Sequence, residues 1–300
     1  MKTLFPIFNM FTIGLVVNEA ADLPEEIIEK NQIVVVPVKM EWPEVEILPG
    51  QNTFQKMREA EKRGIKTFGR TSQPSPKDFL TAFEKQLEIF EKVLCVTITS
   101  KLSGTYNSAL QAKNFLGQER EKRVFVVDSL NASCGTGLLA LRAIDFVNQG
   151  KDIEGIVKEL EKLIPQIHLY GMFEEVKWLE SSGRISHILA NWVRRMRKIG
   201  VRPIIEVKKG VVTAGGITKA KDVPTGLFRQ LKIKTEKLRS QDKKIRIAIT
   251  HGDNLEIAQK LKKMVEDELT GTESAYLNLI DDVLGVLVGP NALILAWCEI

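Results

Sequence analysis

The sequence predicts an α/β protein with two domains, a mostly parallel sheet domain at residues 1–165 and a mixed or antiparallel α/β domain at residues 166–300. Three observations support this fold class. A chain of 300 residues is too long for one small core and suits two domains of about 150 residues each. In the first half, short β-branched runs alternate with amphipathic helices, as in a parallel sheet covered on both faces. The second half contains a hairpin signal, which is typical of antiparallel pairing.

Four apolar runs in the first half are predicted to be buried strands, at residues 12–17, 33–39, 93–99 and 124–128. Helices are predicted to begin at Asp22, Ser75 and Asp152, because each is a good cap and the first two are followed closely by proline. The helix after Ser75 has apolar side chains on one face: Phe79, Phe83, Leu87 and Phe90. Strands and helices therefore alternate up to the predicted boundary near Pro165, placed to within about ten residues.

The hairpin signal of the second half is Lys208-Lys209-Gly210 between two apolar runs, at residues 203–207 and 211–213. Helices are predicted at residues 222–239 and 254–268, and strands at 245–250 and 275–280. The apolar run 283–298 is broken by Gly285, Gly289 and Pro290, so we expect a strand and a short helix there and not a membrane span.

Composition excludes several classes of protein. The net charge of +5, from 43 basic and 38 acidic residues, is spread along the chain, whereas a nucleic-acid-binding protein needs a concentrated basic face. The apolar N-terminus, residues 1–17, is interrupted by polar and turn residues and is not expected to be a signal peptide. Cys95, Cys134 and Cys298 lack metal or CxxC spacing, so we expect free thiols, no metal, no cofactor and a cytoplasmic protein.

One candidate binding loop follows the strand at residues 93–99. Ligands of open α/β sheets bind beyond the carboxyl ends of the strands, where Ser103, Gly104 and Thr105 lead into a helix that is predicted to run to about Leu116. Gly104 allows backbone to approach a ligand closely, and the helix N-terminus offers free N–H groups to an anion. The alternative is that Ser103 or Thr105 serves only as the helix cap, and the spacing leaves both interpretations open.

A second candidate loop, residues 69–75, is dense in hydroxyl groups. Ser75 alone suffices as the cap of the next helix, which leaves Thr71, Ser72 and Gln73 without a structural duty. A carboxylate is costly to bury in an apolar pocket unless it is hydrogen-bonded, and hydroxyl groups supply that bond without a buried cation. The two loops therefore predict an anion site at strand ends, and an acyl tail would add about 0.8 kcal/mol per buried methylene.

No catalytic constellation is recognisable in the sequence. It contains no GxSxG, HExxH or Walker A motif, and its three histidines, at positions 168, 187 and 251, are isolated from any Ser or Cys motif. The best catalytic alternative is an acyl- or phosphoryl-transfer enzyme that uses Ser103, Asp128 and Ser129. A diverged module that binds another ligand in a regulatory role is the other alternative. We expect a binding protein and not an enzyme.

Five segments, in order along the chain, resemble the motifs of the DegV family: residues 71–75, 100–109, 127–129, 183–186 and 203–210. The resemblance covers nearly the whole chain. It implies two α/β domains with a fatty acid in a tunnel between them, its carboxylate held by Thr71 and Ser103. It also implies that Arg184 organises the head-group region, together with Ser72, Gly104 and Thr105. Some members of the family present the fatty acid to a separate kinase, which would then be the partner of this chain.

The sequence departs from the family pattern at three places. Asn18 and Glu19 stand where the family has Asp-Ser, and Leu287 stands where it has a histidine beside the carboxylate. Ile217-Thr218-Lys219 occupies the region where the family carries an arginine for docking its partner. We therefore expect fatty-acid binding to be kept, with a changed head-group environment, while the absent arginine argues against delivery to a kinase.

Overall fold

The computed structural model describes residues 13–300. Predictions for the N-terminal run, including a first strand that begins at Thr12, lie partly outside these residues. The strands, in chain order, are β1 (Ile13–Asn18), β2 (Val34–Val36), β3 (Lys39–Glu41), β4 (Arg70–Ser72), β5 (Lys92–Thr97), β6 (Val124–Asp128), β7 (His168–Met172), β8 (Arg202–Lys208), β9 (Val211–Thr218), β10 (Ile245–His251), β11 (Thr272–Leu279) and β12 (Leu293–Glu299).

The α-helices connect these strands, and two short 3-10 helices lie at Glu19–Ala21 and Ile164–Gln166. In chain order the helices are α1 (Glu25–Lys30), α2 (Pro43–Glu46), α3 (Thr53–Lys62), α4 (Pro76–Leu87), α5 (Thr105–Phe115), α6 (Gln118–Glu121), α7 (Ser133–Asn148), α8 (Ile153–Leu163), α9 (Lys177–Ser181), α10 (His187–Lys198), α11 (Val223–Arg239), α12 (Leu255–Glu268) and α13 (Asp282–Val288).

The first half forms a four-stranded sheet in the order β2-β1-β5-β6. All three of its pairings are parallel, as predicted from the alternation of strands and helices. Helix α4 begins where the sequence predicts, because Ser75 accepts a hydrogen bond from the N–H of Asp78 while the Asp78 carboxylate accepts from the N–H of Ser75. Because β1 and β5 pair in parallel, their carboxyl ends lie side by side. The 3-10 helix Glu19–Ala21 follows β1, and a polar loop follows β5.

The second half forms a six-stranded mixed sheet in the order β11-β10-β12-β7-β8-β9. Only the β10–β11 pair is parallel among its pairings. Lys209 and Gly210 both have positive φ, +51° and +83°, which is the conformation of a two-residue hairpin turn between β8 and β9. The predicted mixed sheet and its hairpin are confirmed.

One prediction about the first half is wrong. Residues 33–39 were expected to form a single strand, but β2 ends at Val36 and the chain turns away at Pro37, which has no N–H to donate to a ladder. The next residues form β3, which pairs with β4 in a separate two-stranded antiparallel ribbon. The hydroxyl-rich segment that begins at Gly69 is therefore partly strand, with Thr71 opposite Met40.

The two sheets share buried side chains. Helix α7 packs on β5 of the parallel sheet and on β10 and β12 of the mixed sheet, and α3 packs on α13. Phe54 of α3 is 0% exposed, and Gly285 makes room for its ring, since a Cβ at Gly285 would lie 2.9 Å from Phe54 Cζ. The strands of the parallel sheet all precede β7, and the strands from β7 onward form the mixed sheet. The domain boundary near Pro165 stays a prediction.

Candidate functional site

The ribbon strand β4 delivers the first hydroxyl loop. Thr71 is half-buried, whereas Ser72 and Gln73 are exposed. The loop is fixed at its far end by the capping box of Ser75 and Asp78. The cap of α4 therefore does not use the side chains of Thr71, Ser72 and Gln73.

Strand β5 delivers the second loop. Thr99 Oγ1 donates to the carbonyl of Gly210 at 3.2 Å, which ties the loop to the β8–β9 hairpin. Ser103 Oγ and Thr105 Oγ1 lie 2.8 Å apart and share a hydrogen bond. The N-cap residue of α5 is Gly104, which has no side chain to cap the helix. Ser103 Oγ accepts a hydrogen bond from the N–H of Thr105 at 3.4 Å, at the first residue of the helix. Ser103 therefore supports the start of α5, and a role in binding a ligand stays a prediction.

The two loops touch each other at Gly104. A Cβ at this glycine would lie 3.0 Å from the amide end of the Gln73 side chain, so a larger residue would displace that side chain. This contact brings Thr71 and Ser103, which are far apart in sequence, into the wall of one cavity.

Arg184 lies next to the first loop, in the segment after α9. Its Nη2 donates to Thr71 Oγ1 at 3.0 Å, and its Nη1 donates to the carbonyl of Ser182 at 3.3 Å. Burial lowers the pKa of the Arg184 guanidinium, which still carries its charge at neutral pH. An anion beside Thr71 would offset the cost of burying this cation.

These side chains line a cavity of about 220 Å³. One water molecule needs about 10–15 Å³ of such volume, so the cavity has room for a much larger ligand. All six residues predicted for the site lie in its wall: Thr71, Ser72, Ser103, Gly104, Thr105 and Arg184. Apolar side chains from the second half of the chain line another part of the wall: Leu169, Phe173, Leu179, Ile205, Val207, Val212, Val283, Leu284, Leu287, Val288 and Ile294.

The substituted residues 18, 19 and 287 of the family pattern have different positions. Leu287 is buried in the cavity wall and adds apolar surface there. Asn18 is also in the wall, and its Oδ1 accepts from the N–H of Ile98 at 2.8 Å. Glu19 accepts from the N–H of Val38 at 2.9 Å. It does not line the cavity but an adjacent acidic cleft, which also contains Asp22, Asp281 and Asp282. Its carboxylate therefore does not oppose an anion in the cavity directly.

The acidic cleft contains two adjacent carboxyl groups that join the halves of the chain. The N–H of Asp281 donates to Asp22 Oδ1 at 2.9 Å, and Asp281 Oδ1 accepts from the N–H of Leu284 at the start of α13. Burial, with the neighbouring negative charge, raises the pKa of Asp281 well above its ordinary value, and burial also raises the pKa of Asp22. Ionisation of both groups is therefore opposed in the folded chain.

We expect this pair to make stability fall as pH rises. Both carboxyls have a folded pKa above the unfolded value of about 4, so the folded state binds more protons and loses stability through the window above that value. Asp281→Asn keeps an acceptor for Leu284 and removes a buried group whose ionisation is costly, so the free energy of unfolding should rise at neutral pH and depend less on pH. Urea unfolding at several pH values tests this, with Asp282→Asn at the exposed neighbour as the control. If the free energy of unfolding has the same slope with pH in the wild type and in Asp281→Asn, the prediction is contradicted.

The groups of the catalytic alternative are engaged in holding the loops. Asp128 accepts from the N–H groups of Ser100 and Leu130, and Ser129 is bonded to Asn131 and Thr136. None of the histidines, all of which lie in the described part of the chain, lines the cavity. Within residues 13–300 no group of three or more His, Cys, Asp or Glu side chains is placed to hold a metal ion.

Two polar residues of the cavity wall were not predicted from the sequence to lie there. In the sequence, Asn18 stands out only as a substitution in the family's Asp-Ser motif. Ser133 has a φ of +46° and bonds to Asp22 and Thr250 through its hydroxyl. No local pattern marks Ser133, because its partners come from distant parts of the chain.

Among residues 13–300 no helix combines the length and the apolar character that crossing a membrane requires.

The comparisons with known proteins agree with each other. A family model described as an uncharacterised protein of the DegV family matches residues 12–299. A DegV domain-containing protein of Clostridium acetobutylicum is 36% identical over 203 residues, which are 67% of this chain and 70% of the relative. A fatty acid-binding protein of Thermotoga maritima is 29% identical over 265 residues, 85% of this chain and 88% of the relative.

A solved structure shows the same fold. The DegV family protein of Thermus thermophilus, whose structure is described as showing fatty acid binding, superposes with a TM-score of 0.79 at 25% identity. The match covers 96% of this chain and 100% of that chain.

Proposed function

Because this chain belongs to the DegV family, we propose that it binds a long-chain fatty acid in the cavity, with the carboxylate held by Thr71 and Ser103. The observation that carries the proposal is that the cavity wall has a polar part and an apolar part. Most of its hydroxyl groups and its guanidinium lie on β4, the loop before α5 and the segment after α9, whereas the mixed sheet and α13 contribute apolar side chains. An amphipathic ligand with one anionic end fits this division.

The head group would be held by charge-assisted hydrogen bonds. Thr71 receives its bond from Arg184 on an oxygen lone pair, so its own hydroxyl hydrogen remains free to donate. Ser103 and Thr105 share one bond, which leaves one of their two hydroxyl hydrogens free. Each bond to a charged acceptor contributes about 1.5–3 kcal/mol.

The tail would supply most of the affinity. Each buried methylene adds about 0.8 kcal/mol, and the wall beyond the loops is made of Leu, Val, Ile and Phe side chains from the mixed sheet and its helices. Leu287 extends this apolar surface. The descriptions of the Thermotoga maritima relative and the Thermus thermophilus structure support a fatty acid as the ligand.

The proposal is limited to binding. Asp128 and Ser129 are engaged by neighbouring groups of their loop, which supports a binding protein over a transferase. Delivery of the acid to a kinase is the part of the family resemblance with the least support here. The exposed Ile217 and Lys219, at and just after the end of β9, stand where the family carries its docking arginine.

Mass spectrometry of lipid extracted from the purified, denatured protein tests the proposal. We expect a long-chain acid at close to one molecule per chain. After lipid removal, stearate should raise the melting temperature, because a ligand that binds only the folded chain stabilises it. Methyl stearate is the matched control, since it keeps the tail and lacks the charge. Absence of an acyl chain together with no shift by stearate would overturn the proposal.

A further inference from the structure

A second cavity of the chain, with a volume of about 630 Å³, carries a cluster of basic side chains. Lys208 and Lys209 come from the β8–β9 hairpin, Lys234 from α11 and His168 from the start of β7. We call this cavity the lysine pocket. It shares two apolar lining residues with the cavity proposed for the fatty acid, and none of the hydroxyl groups or the guanidinium of that cavity. The lysine pocket is therefore a separate site.

The lysines of this pocket have no counter-ions. None of them forms an ion pair with another of the residues 13–300. Glu161 and Glu206 also line the pocket, but they do not cancel the charge of the lysines at His168. Burial lowers the pKa of His168, and the charges of Lys234 and Lys208 lower it further, whereas no acidic side chain raises it. The potential in this part of the pocket is therefore positive, and an anion would be attracted there.

The imidazole of His168 is held in the pocket wall beside one of the lysines. Strands β7 and β8 pair antiparallel with Leu169 opposite Val207, so the next position of the ladder places His168 opposite Lys208. The ring of His168 stacks on Trp297, with 4.2 Å between the ring centroids. Packing therefore fixes the position of the imidazole, and its protonation reports on charge in the pocket.

The rest of the pocket wall is uncharged. Burial and the charge of Glu206 raise the pKa of Tyr170 to about 12, so its hydroxyl is neutral at neutral pH. The apolar lining residues include Leu130, Ile164, Ile167, Leu169 and Val207. A ligand that fits this wall carries negative charge at one end and an apolar group at the other.

We propose that the lysine pocket binds a small organic phosphate, a phosphomonoester attached to an apolar group. At neutral pH a phosphomonoester carries a charge of about −1.5 to −2 and offers three acceptor oxygens, so it can face several ammonium groups at once. Lysine binds phosphate as a point charge and needs no planar fork geometry. A carboxylate carries a single charge and matches three lysines less well. The apolar group would cover the uncharged part of the wall.

Titration of the full chain with phenyl phosphate, followed by NMR of ¹³C-labelled histidine, tests the inference. The chain has three histidines, so each ring can be assigned by substitution. We expect the pKa of His168 to rise when phenyl phosphate is bound, because a nearby anion favours the imidazolium. His187 lines neither the lysine pocket nor the fatty-acid cavity and is the internal reference.

The double substitution Lys208→Gln with Lys234→Gln removes the two charges that act on His168. It should raise the pKa of His168 without any ligand. It should also weaken phenyl phosphate binding by at least about tenfold, since one exposed ion pair contributes up to about fivefold. The matched control is Lys237→Gln with Lys244→Gln, at two exposed lysines that do not line the pocket. Equal losses in the two double variants would mean that only the overall charge of the chain matters, and would contradict the inference.

Three further results would overturn the inference. The first is a pKa of His168 that phenyl phosphate leaves unchanged. The second is inorganic phosphate binding as tightly as phenyl phosphate, because the apolar wall would then play no part. The third is a response of His168 to vesicles of phosphatidate in phosphatidylcholine without a response to phenyl phosphate, which would make the pocket a contact for membrane lipid. None of these results depends on fatty-acid binding, so the proposed function is tested separately.

Discussion

The double substitution Thr71→Ala with Ser103→Ala is expected to lower stearate affinity by at least about one-hundredfold. Each removed hydroxyl takes away a bond to a charged acceptor worth about 1.5–3 kcal/mol, and 1.4 kcal/mol corresponds to tenfold in affinity. The loss of Thr71 Oγ1 also leaves Arg184 Nη2 without its partner at 3.0 Å. Titration of the lipid-free protein with stearate measures the effect. An unchanged affinity would place the head group elsewhere.

Two control variants separate binding from folding. Ser75→Ala removes a hydroxyl of the same loop that caps α4 and does not line the cavity, so it should cost about 1 kcal/mol of stability and leave stearate affinity unchanged. Thr71→Ser keeps the hydroxyl and the bond from Arg184, so it should retain most of the affinity.

Phe54→Ala is expected to lower the free energy of unfolding by about 3–5 kcal/mol. The ring is fully buried between α3 and α13 and fills the space left by two glycines, Gly252 and Gly285. Removing it leaves a cavity that rigid backbone on both sides cannot close. Urea unfolding measures the loss.

The matched control is Phe115→Ala, at a phenylalanine that is 65% exposed at the end of α5. Its removal should change stability by no more than about 0.5 kcal/mol, as for most surface substitutions. Similar losses in the two variants would mean that the α3–α13 contact does not hold the halves together.

The parts of the fold that local pattern determines were predictable from the sequence. Buried parallel strands are continuous apolar runs, and Ser75 with Pro76 predicts the start of α4. The ribbon of β3 and β4 was not predicted, because its short strands have no apolar alternation and pair only through tertiary contacts. Helix α7 was not predicted either, because residues 133–140 are buried throughout and show no polar face to give them periodicity.

The candidate site also has parts that could be predicted from the sequence and parts that could not. Thr71 and Ser103 were recognisable because they lie in segments dense in hydroxyl groups. Ser103 follows the carboxyl end of β5, where ligands of an α/β sheet bind, whereas Thr71 lies within the ribbon strand β4. The apolar wall could not be predicted from sequence, because it depends on how the second sheet packs over these loops. The lysine pocket is equally hidden, since its basic side chains come from β7, the β8–β9 hairpin and α11, which only the three-dimensional structure brings together.

The lining of the cavity by both sheets has a consequence for the lifetime of the protein. A ligand that touches both halves and binds only the folded chain raises its unfolding free energy, by about 2.7 kcal/mol when the free ligand is about 100 times the dissociation constant. With the proposed fatty acid as that ligand, loaded molecules unfold less often than empty ones and expose fewer sites to proteases. The amount of protein in the cell would then rise and fall with the supply of its lipid, without any change in its synthesis.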